Sequence, residues 1–242
     1  MRDVWTVMWK ELRELLMQRF GTLGSSAGIL VVVFMFGCIL PWQMGQDWVM
    51  SPMMWFLTGW TSFTLVVSVI ADAFAGERER HTLETLLATR LSDNAILIGK
   101  VCAAVSYGSG IVLLILLMAW VTLNVLSGGS SFVFYDIGIG LGALVFGVLG
   151  AGLAASVGIL VSLRAPTVRQ AQQTLSLLAM SIPFAIGYGS QLLPLNWRAA
   201  MFQTLSVTSP GQILLWAGLT LLVLDGAMLF WARLCFRRDK LI

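Results

Sequence analysis

The sequence predicts an all-α membrane protein: six transmembrane helices preceded by an N-terminal amphipathic helix lying in the membrane interface. Three observations lead there. Of the 242 residues, 58% are hydrophobic and only 11% charged, with 10 Trp and 24 Gly; the mean hydropathy is +0.86, the composition of an integral membrane protein. Six stretches, at 22–41, 52–75, 100–126, 137–162, 171–193 and 209–233, are long enough to cross roughly 30 Å of hydrocarbon as helices. These runs are continuously apolar rather than alternating every second residue, which argues against a spanning β-barrel. With so much of the chain in the bilayer, 1–242 reads as a single transmembrane domain with no room for a separate soluble one.

Residues 1–20 carry the amphipathic helix. At 100° per residue, Trp5, Met8, Trp9, Leu12, Leu15 and Leu16 fall on one face and Lys10, Glu11, Arg13 and Glu14 on the other. Two tryptophans on an apolar face suit headgroup depth, and the basic residues then point to the lipid surface; packing on a partner protein is the alternative. No cleavable signal peptide is expected, because this segment is amphipathic and no small-x-small site follows the first apolar run.

The six-helix bundle occupies 22–233. Its connections on one side, 42–51, 127–136 and 194–208, are short, and Ser127-Gly128-Gly129-Ser130-Ser131 reads as a flexible turn. The fourth span is glycine-rich, with Gly138/Gly142 and Ala143/Gly147 at four-residue spacing, the pattern that lets neighbouring helices approach closely. Pro183 predicts a kink or break in the fifth span. Pro194 ends that span, and a short interfacial helix is expected from Asn196 to Leu205, with Trp197 at headgroup depth. Thr208-Ser209-Pro210 reads as the cap and first-turn proline of the sixth span.

Fourteen of the 15 Lys and Arg lie on one side: four in the N-terminal segment, Arg78, Arg80, Arg90 and Lys100 after the second span, Arg164 and Arg169 after the fourth, and four at 233–240. Only Arg198 lies on the other side. The positive-inside rule then expects both termini in the cytoplasm, in a multi-pass protein of an inner or plasma membrane. It also accounts for the net charge of +3 as topology anchoring, with no nucleic-acid partner. The tail, 234–242, is expected to be cytoplasmic.

The densest charge in this apolar chain follows the second span. Glu77 and Glu79 stand where a helix N-terminus favours negative charge, Leu83, Leu86 and Leu87 form an apolar edge, and Ser92 or Asp93 can cap the helix that runs through Gly99-Lys100 into the third span. The expected form is a short helix parallel to the membrane, presenting charge and a few leucines. The stretch Phe74-Ala75-Gly76-Glu77-Arg78-Glu79-Arg80-His81-Thr82-Leu83-Glu84-Thr85-Leu86-Leu87-Ala88-Thr89, followed by Ile98-Gly99-Lys100, resembles the signature of ABC-transporter type-2 permeases. Thr167-Val168-Arg169-Gln170-Ala171-Gln172-Gln173 is similar to such permeases as well. Two positions depart from the pattern: His81 stands where glycine is usual, and Arg90 where proline is.

The resemblance covers essentially the whole chain, and it implies a permease subunit of an ATP-driven exporter. In it, 76–92 would be the coupling segment, with Glu77, Arg78, Glu79, Arg80, Thr82 and Glu84 contacting a separate ABC ATPase, two copies per transporter. A second permease subunit, identical or not, would complete the translocation path. ATP and magnesium would be bound by the ATPase, since this sequence contains no GxxxxGK[ST] phosphate loop and therefore no nucleotide chemistry or cofactor of its own is expected. A membrane scaffold recruiting some other cytoplasmic partner is the alternative reading.

Two carboxylates, Asp72 and Asp225, fall within the spans, where a charge costs a few kcal/mol. They differ in depth by roughly 6 Å at 1.5 Å per residue, and no GxGD context surrounds either, which argues against an aspartyl protease dyad. Asp72 is expected near the interface beside the basic residues of the following segment, and Asp225 as a helix–helix polar contact. His81 is the single histidine, and Cys38, Cys102 and Cys235 form no CxxC or Cys/His pattern, so neither a catalytic site nor a metal site is expected. The 12 methionines are dispersed.

Overall fold

The computed structural model describes residues 2–21, 23–51, 53–80, 91–126, 132, 134–199 and 208–235. Among these every regular element is a helix. In chain order they are α1 (Arg2–Phe20), α2 (Leu23–Phe34), α3 (Leu40–Met44), α4 (Gln46–Met50), α5 (Met53–Ala71), α6 (Glu77–Glu79), α7 (Asp93–Leu126), α8 (Ile137–Ser162), α9 (Val168–Leu192) and α10 (Pro210–Cys235). A widened π turn, Met35–Ile39, joins α2 to α3, and a second, Asp72–Gly76, joins α5 to α6. The protein is an all-α membrane protein. Five helical stretches, Ser26–Met44, Met53–Gly76, Asp93–Leu126, Ile137–Ser162 and Gly211–Cys235, are long and apolar enough to cross a bilayer.

The remaining expected span, 171–193, coincides with α9. Its 25 residues would extend about 37 Å at 1.5 Å per residue, but Gln170, Gln172, Gln173, Thr174 and Ser176 make it more polar than the others. It buries a stripe of Ala171, Leu175 and Ala179, spaced four apart as one helix face requires.

Helix ends follow local chemistry. Ser92 Oγ accepts from Ala95 N–H (3.2 Å) at the start of α7. Asp136 Oδ1 accepts from Gly138 and Ile139 N–H (2.9 and 3.3 Å) at the start of α8. Thr167 Oγ1 accepts from Gln170 N–H (3.3 Å) at the start of α9. At α10, Ser209 and Gln212 form a reciprocal capping box: Gln212 N–H donates to Ser209 Oγ (3.4 Å) and Ser209 N–H to Gln212 Oε1 (3.3 Å). The connection 42–51 is itself largely helical; Gly45, at φ +59°, makes the turn between α3 and α4, and Trp48 is buried beneath it. Of the expected 196–205 helix, the structure describes helix over 195–199 with Trp197 exposed; 200–205 lies outside the described residues.

The core runs along α5 and α8. Val66, Ile70, Ala71 and Ala75 face Ala151, Ala154, Ala155 and Ile159, all fully buried. Glycine lets the two backbones meet: a Cβ on Gly150 would collide with the Gly59 carbonyl, and one on Gly158 with the Ile70 side chain. Gly142 likewise abuts Trp55, whose indole N–H donates to Ile139 O (3.1 Å). Gly138 meets no other helix among the described residues, so the close-approach seam is offset from the first expected pair, beginning at Gly142. Pro183 does not break α9, which is continuous from Val168 to Leu192. Because proline has no N–H, the Ala179 carbonyl one turn earlier loses its intrahelical donor; the Trp60 indole N–H donates to it instead (3.1 Å).

Candidate functional site

The site begins where α5 ends. Its helix does not turn at Gly76 but widens through Asp72–Gly76, with Phe74, Ala75 and Gly76 buried, and continues as α6 until Arg80 N–H donates to Gly76 O (3.0 Å). In the widened turn Glu77 N–H donates to Phe74 O rather than to the Ala73 carbonyl four residues back. The Ala73 carbonyl accepts from Lys100 Nζ (3.0 Å). Such π turns recur at functional positions because they re-aim both a carbonyl and the side chains that follow.

Lys100 is the centre of the arrangement. Its ammonium donates to Glu77 Oε1 (2.9 Å) and to Glu11 Oε1 (3.1 Å), and lies 5.5 Å from the Phe74 ring centroid, within cation–π reach. At 3% exposure Lys100 is as buried as the surrounding leucines. A buried ammonium persists only when paired and hydrogen-bonded; here two carboxylates and a carbonyl supply its three acceptors. Glycine makes the geometry reachable. A Cβ on Gly99 would sit 2.7 Å from Val7 and 3.3 Å from the Val4 carbonyl, so its absence brings α1 close enough for Glu11 to meet Lys100.

This placement corrects the helical wheel drawn for α1. The helix buries Val7 and Leu15 against the bundle and exposes Trp5, Trp9 and Leu16. Glu11 therefore stands on the bundle-facing stripe, four residues after Val7 and four before Leu15. Neither Glu11 nor Lys100 was expected at the site, since each was read as an exposed or topology-anchoring charge. The signal was present: a carboxylate spaced four from two buried apolar residues, and a lysine directly after a glycine inside a helix. Arg19 adds a second tie from α1, donating to Ser68 Oγ of α5 (3.1 Å).

The other charged positions spread outward from this centre. Glu79 Oε2 accepts from the Val168 N–H (3.2 Å), placing a negative charge on the positive end of α9. Asp72 accepts from Arg80 (3.4 Å), a partly exposed pair at the same end of the bundle. Arg78 is backbone only among the described residues; Thr82 and Glu84, with His81 and the leucines of that stretch, lie outside them. Asp225 is remote from the cluster. It packs against Gly152, where a Cβ would be 2.8 Å from Oδ2, and its buried Oδ1 has no hydrogen-bond partner among the described residues. The structure thus brings Glu77, Glu79, Arg80 and Asp72 to one end, adds Glu11 and Lys100, and leaves Asp225 outside.

Structurally, the cluster joins several helices at one end of the bundle. Lys100 holds together α1, the end of α5 and α7, while Glu79 ties α6 to α9. Because α5, its π turn and α6 are continuous, Glu77–Arg80 join α5 with no loop between.

Comparison with known proteins gives two findings. The family described as ABC-2 type transporter matches residues 2–217. The ABC transporter permease protein NatB of Bacillus subtilis (strain 168) is 30% identical over 190 residues, which is 71% of this chain and 49% of that protein. The chain spans about half the length of that curated relative.

Proposed function

Because the chain belongs to the ABC-2 type transporter family, we propose that it is the permease subunit of an ATP-driven exporter. In this reading two permease subunits pair around the translocation path. Separate ABC ATPases, two per transporter and carrying the ATP and magnesium, dock on the segment 76–92 from the cytoplasm, where both termini also lie. Glu79, Arg80 and the following Thr82 and Glu84 would meet the ATPase, and Arg78 would join them. Glu77 would act one step inward, passing the push to Lys100.

The observation that carries the proposal is the Lys100–Glu77–Glu11 joint, which couples the one charge-dense segment of an apolar chain to three bundle helices. The relative's name as a permease and the lack of a phosphate loop in these 242 residues support the same division of labour.

Affinity purification of the chain from its own host in mild detergent tests it. An ABC ATPase recovered at about one-to-one, with its turnover uncoupled from transport by charge reversal at Glu79 and Arg80, is the expected outcome. Reproducible recovery of a different cytoplasmic protein in its place would favour the scaffold reading.

A further inference from the structure

A half-enclosed cavity of about 320 Å³ lies at the end of the bundle opposite Lys100, between α5, α8, α9 and α10. On α5 it reaches from Trp55 to Phe63, the third to the eleventh residue of that helix, which puts it about 3–15 Å along the helix at 1.5 Å per residue. It exists because α10 leans chiefly on α8 and leaves a gap towards α5 and α9. The volume is that of a small ligand pocket.

Its chemistry is unusually restrictive. Among the described residues, no charged, hydroxyl or amide side chain lines it; Phe63, Phe146, Leu153, Ala217 and Leu221 are typical. Among the described lining residues the tryptophans are the only side chains with a polar atom, and both have spent it elsewhere: Trp55 Nε1 donates to Ile139 O and Trp60 Nε1 to Ala179 O. The second bond also covers the carbonyl that Pro183 would otherwise leave open at the cavity margin. A ligand that needs hydrogen bonds finds no partner here, and water finds none either. A hydrocarbon chain meets every requirement, and in a bilayer the surrounding solvent supplies it.

We propose that this cavity is a binding site for one acyl chain of a bilayer phospholipid, which fills the gap and wedges α10 against α5 and α9. The chain restores the dispersion contacts that an empty apolar gap forfeits. The proposal rests on the membrane assignment alone, not on the transport reading, so the two fail separately.

The test uses the full chain reconstituted in vesicles of phosphatidylcholine bearing a mid-chain diazirine, with photolabelled residues mapped by mass spectrometry. Adducts on Phe63, Leu153 and Leu221 should exceed those on the outward-facing Leu178, Leu219 and Leu222 by roughly tenfold, the ratio a modest binding preference produces. Ala217→Phe, which fills the cavity, should return them to the background level; Ile213→Phe serves if that variant does not fold. Even labelling of cavity and outward-facing residues in the unmodified protein would overturn the proposal. So would an absence of cavity adducts together with Ala217→Cys disulfides between two copies, because a second chain would then cover this face.

Discussion

Lys100 Nζ lies 2.9 Å from Glu77 Oε1, across 23 residues of sequence, with only 3% of the lysine exposed. Glu11 completes the pairing from a third helix at 3.1 Å. Two carboxylates thus face one ammonium in an apolar surround, and no member can be removed without stranding the others.

Lys100→Met is therefore expected to destabilise strongly, although methionine is of similar length. Removing one partner of a buried ion pair costs about 3–5 kcal/mol, and here two carboxylates are left facing each other. Thermal unfolding in detergent should show a large fall in Tm. The triple variant Lys100→Met, Glu77→Gln, Glu11→Gln should recover much of it. A triple variant no more stable than the single one would contradict the joint.

Glu77 and Glu79 are separable despite lying on the same short helix. Glu77→Lys places two cations within contact distance and should lower the folded yield. Glu79→Gln keeps a hydrogen-bond acceptor for the exposed Val168 N–H and should leave membrane insertion and yield unchanged. Under the transport reading, Glu79→Lys should uncouple ATP turnover from transport with folding intact. Unimpaired coupling in that variant would remove Glu79 from the coupling contacts.

The glycine seam gives a steric prediction with an internal control. A methyl on Gly150 would run into the Gly59 carbonyl, a backbone atom that cannot swing away. Gly150→Ala should destabilise by about 1–3 kcal/mol, as overpacking does. Gly218→Ala and Gly226→Ala, where no described residue lies within 4 Å, should be neutral or slightly stabilising. Equal effects at all three positions would show that helix propensity, not close approach, governs this chain.

Trp60 and Pro183 should be energetically coupled. Trp60→Phe keeps the ring but leaves the Ala179 carbonyl unpaired, at a cost of about 1–3 kcal/mol for a buried acceptor. Pro183→Ala restores the intrahelical N–H that this carbonyl lacks, so Trp60→Phe should cost less in that background. Additivity in the double-mutant cycle would mean that the indole bond carries no such role.

The fourth span was legible to the residue: 137–162 was expected and Ile137–Ser162 is observed, because a long apolar run between polar flanks has one way to sit as a helix. The cap and first-turn proline expected at 208–210 match the start of α10 for a similarly local reason: Ser209 and Gln212 bond only to each other's neighbourhood. The short connection 42–51 was less legible, since nothing in Gln46–Met50 distinguishes a helical turn from a coil until Trp48 finds its buried pocket. The candidate site was half legible. The charged stretch drew attention through its composition, but Glu11 and Lys100 looked like the solvated charges around them.

Hydropathy, charge asymmetry and capping residues are properties of short stretches of chain, so the sequence by itself determined the class, five of the expected spans in outline and the ends of a few helices. Which charge goes inward depends on what stands opposite it, and that is a tertiary fact. Only the packed bundle decided that Gly99 admits α1, that Lys100 turns from topology anchor to buried cation, and that Glu77 faces the core while Glu79 faces α9. The physical reason is desolvation: a charge is tolerated inside only where partners from several distant segments converge, and no local stretch of sequence contains that convergence.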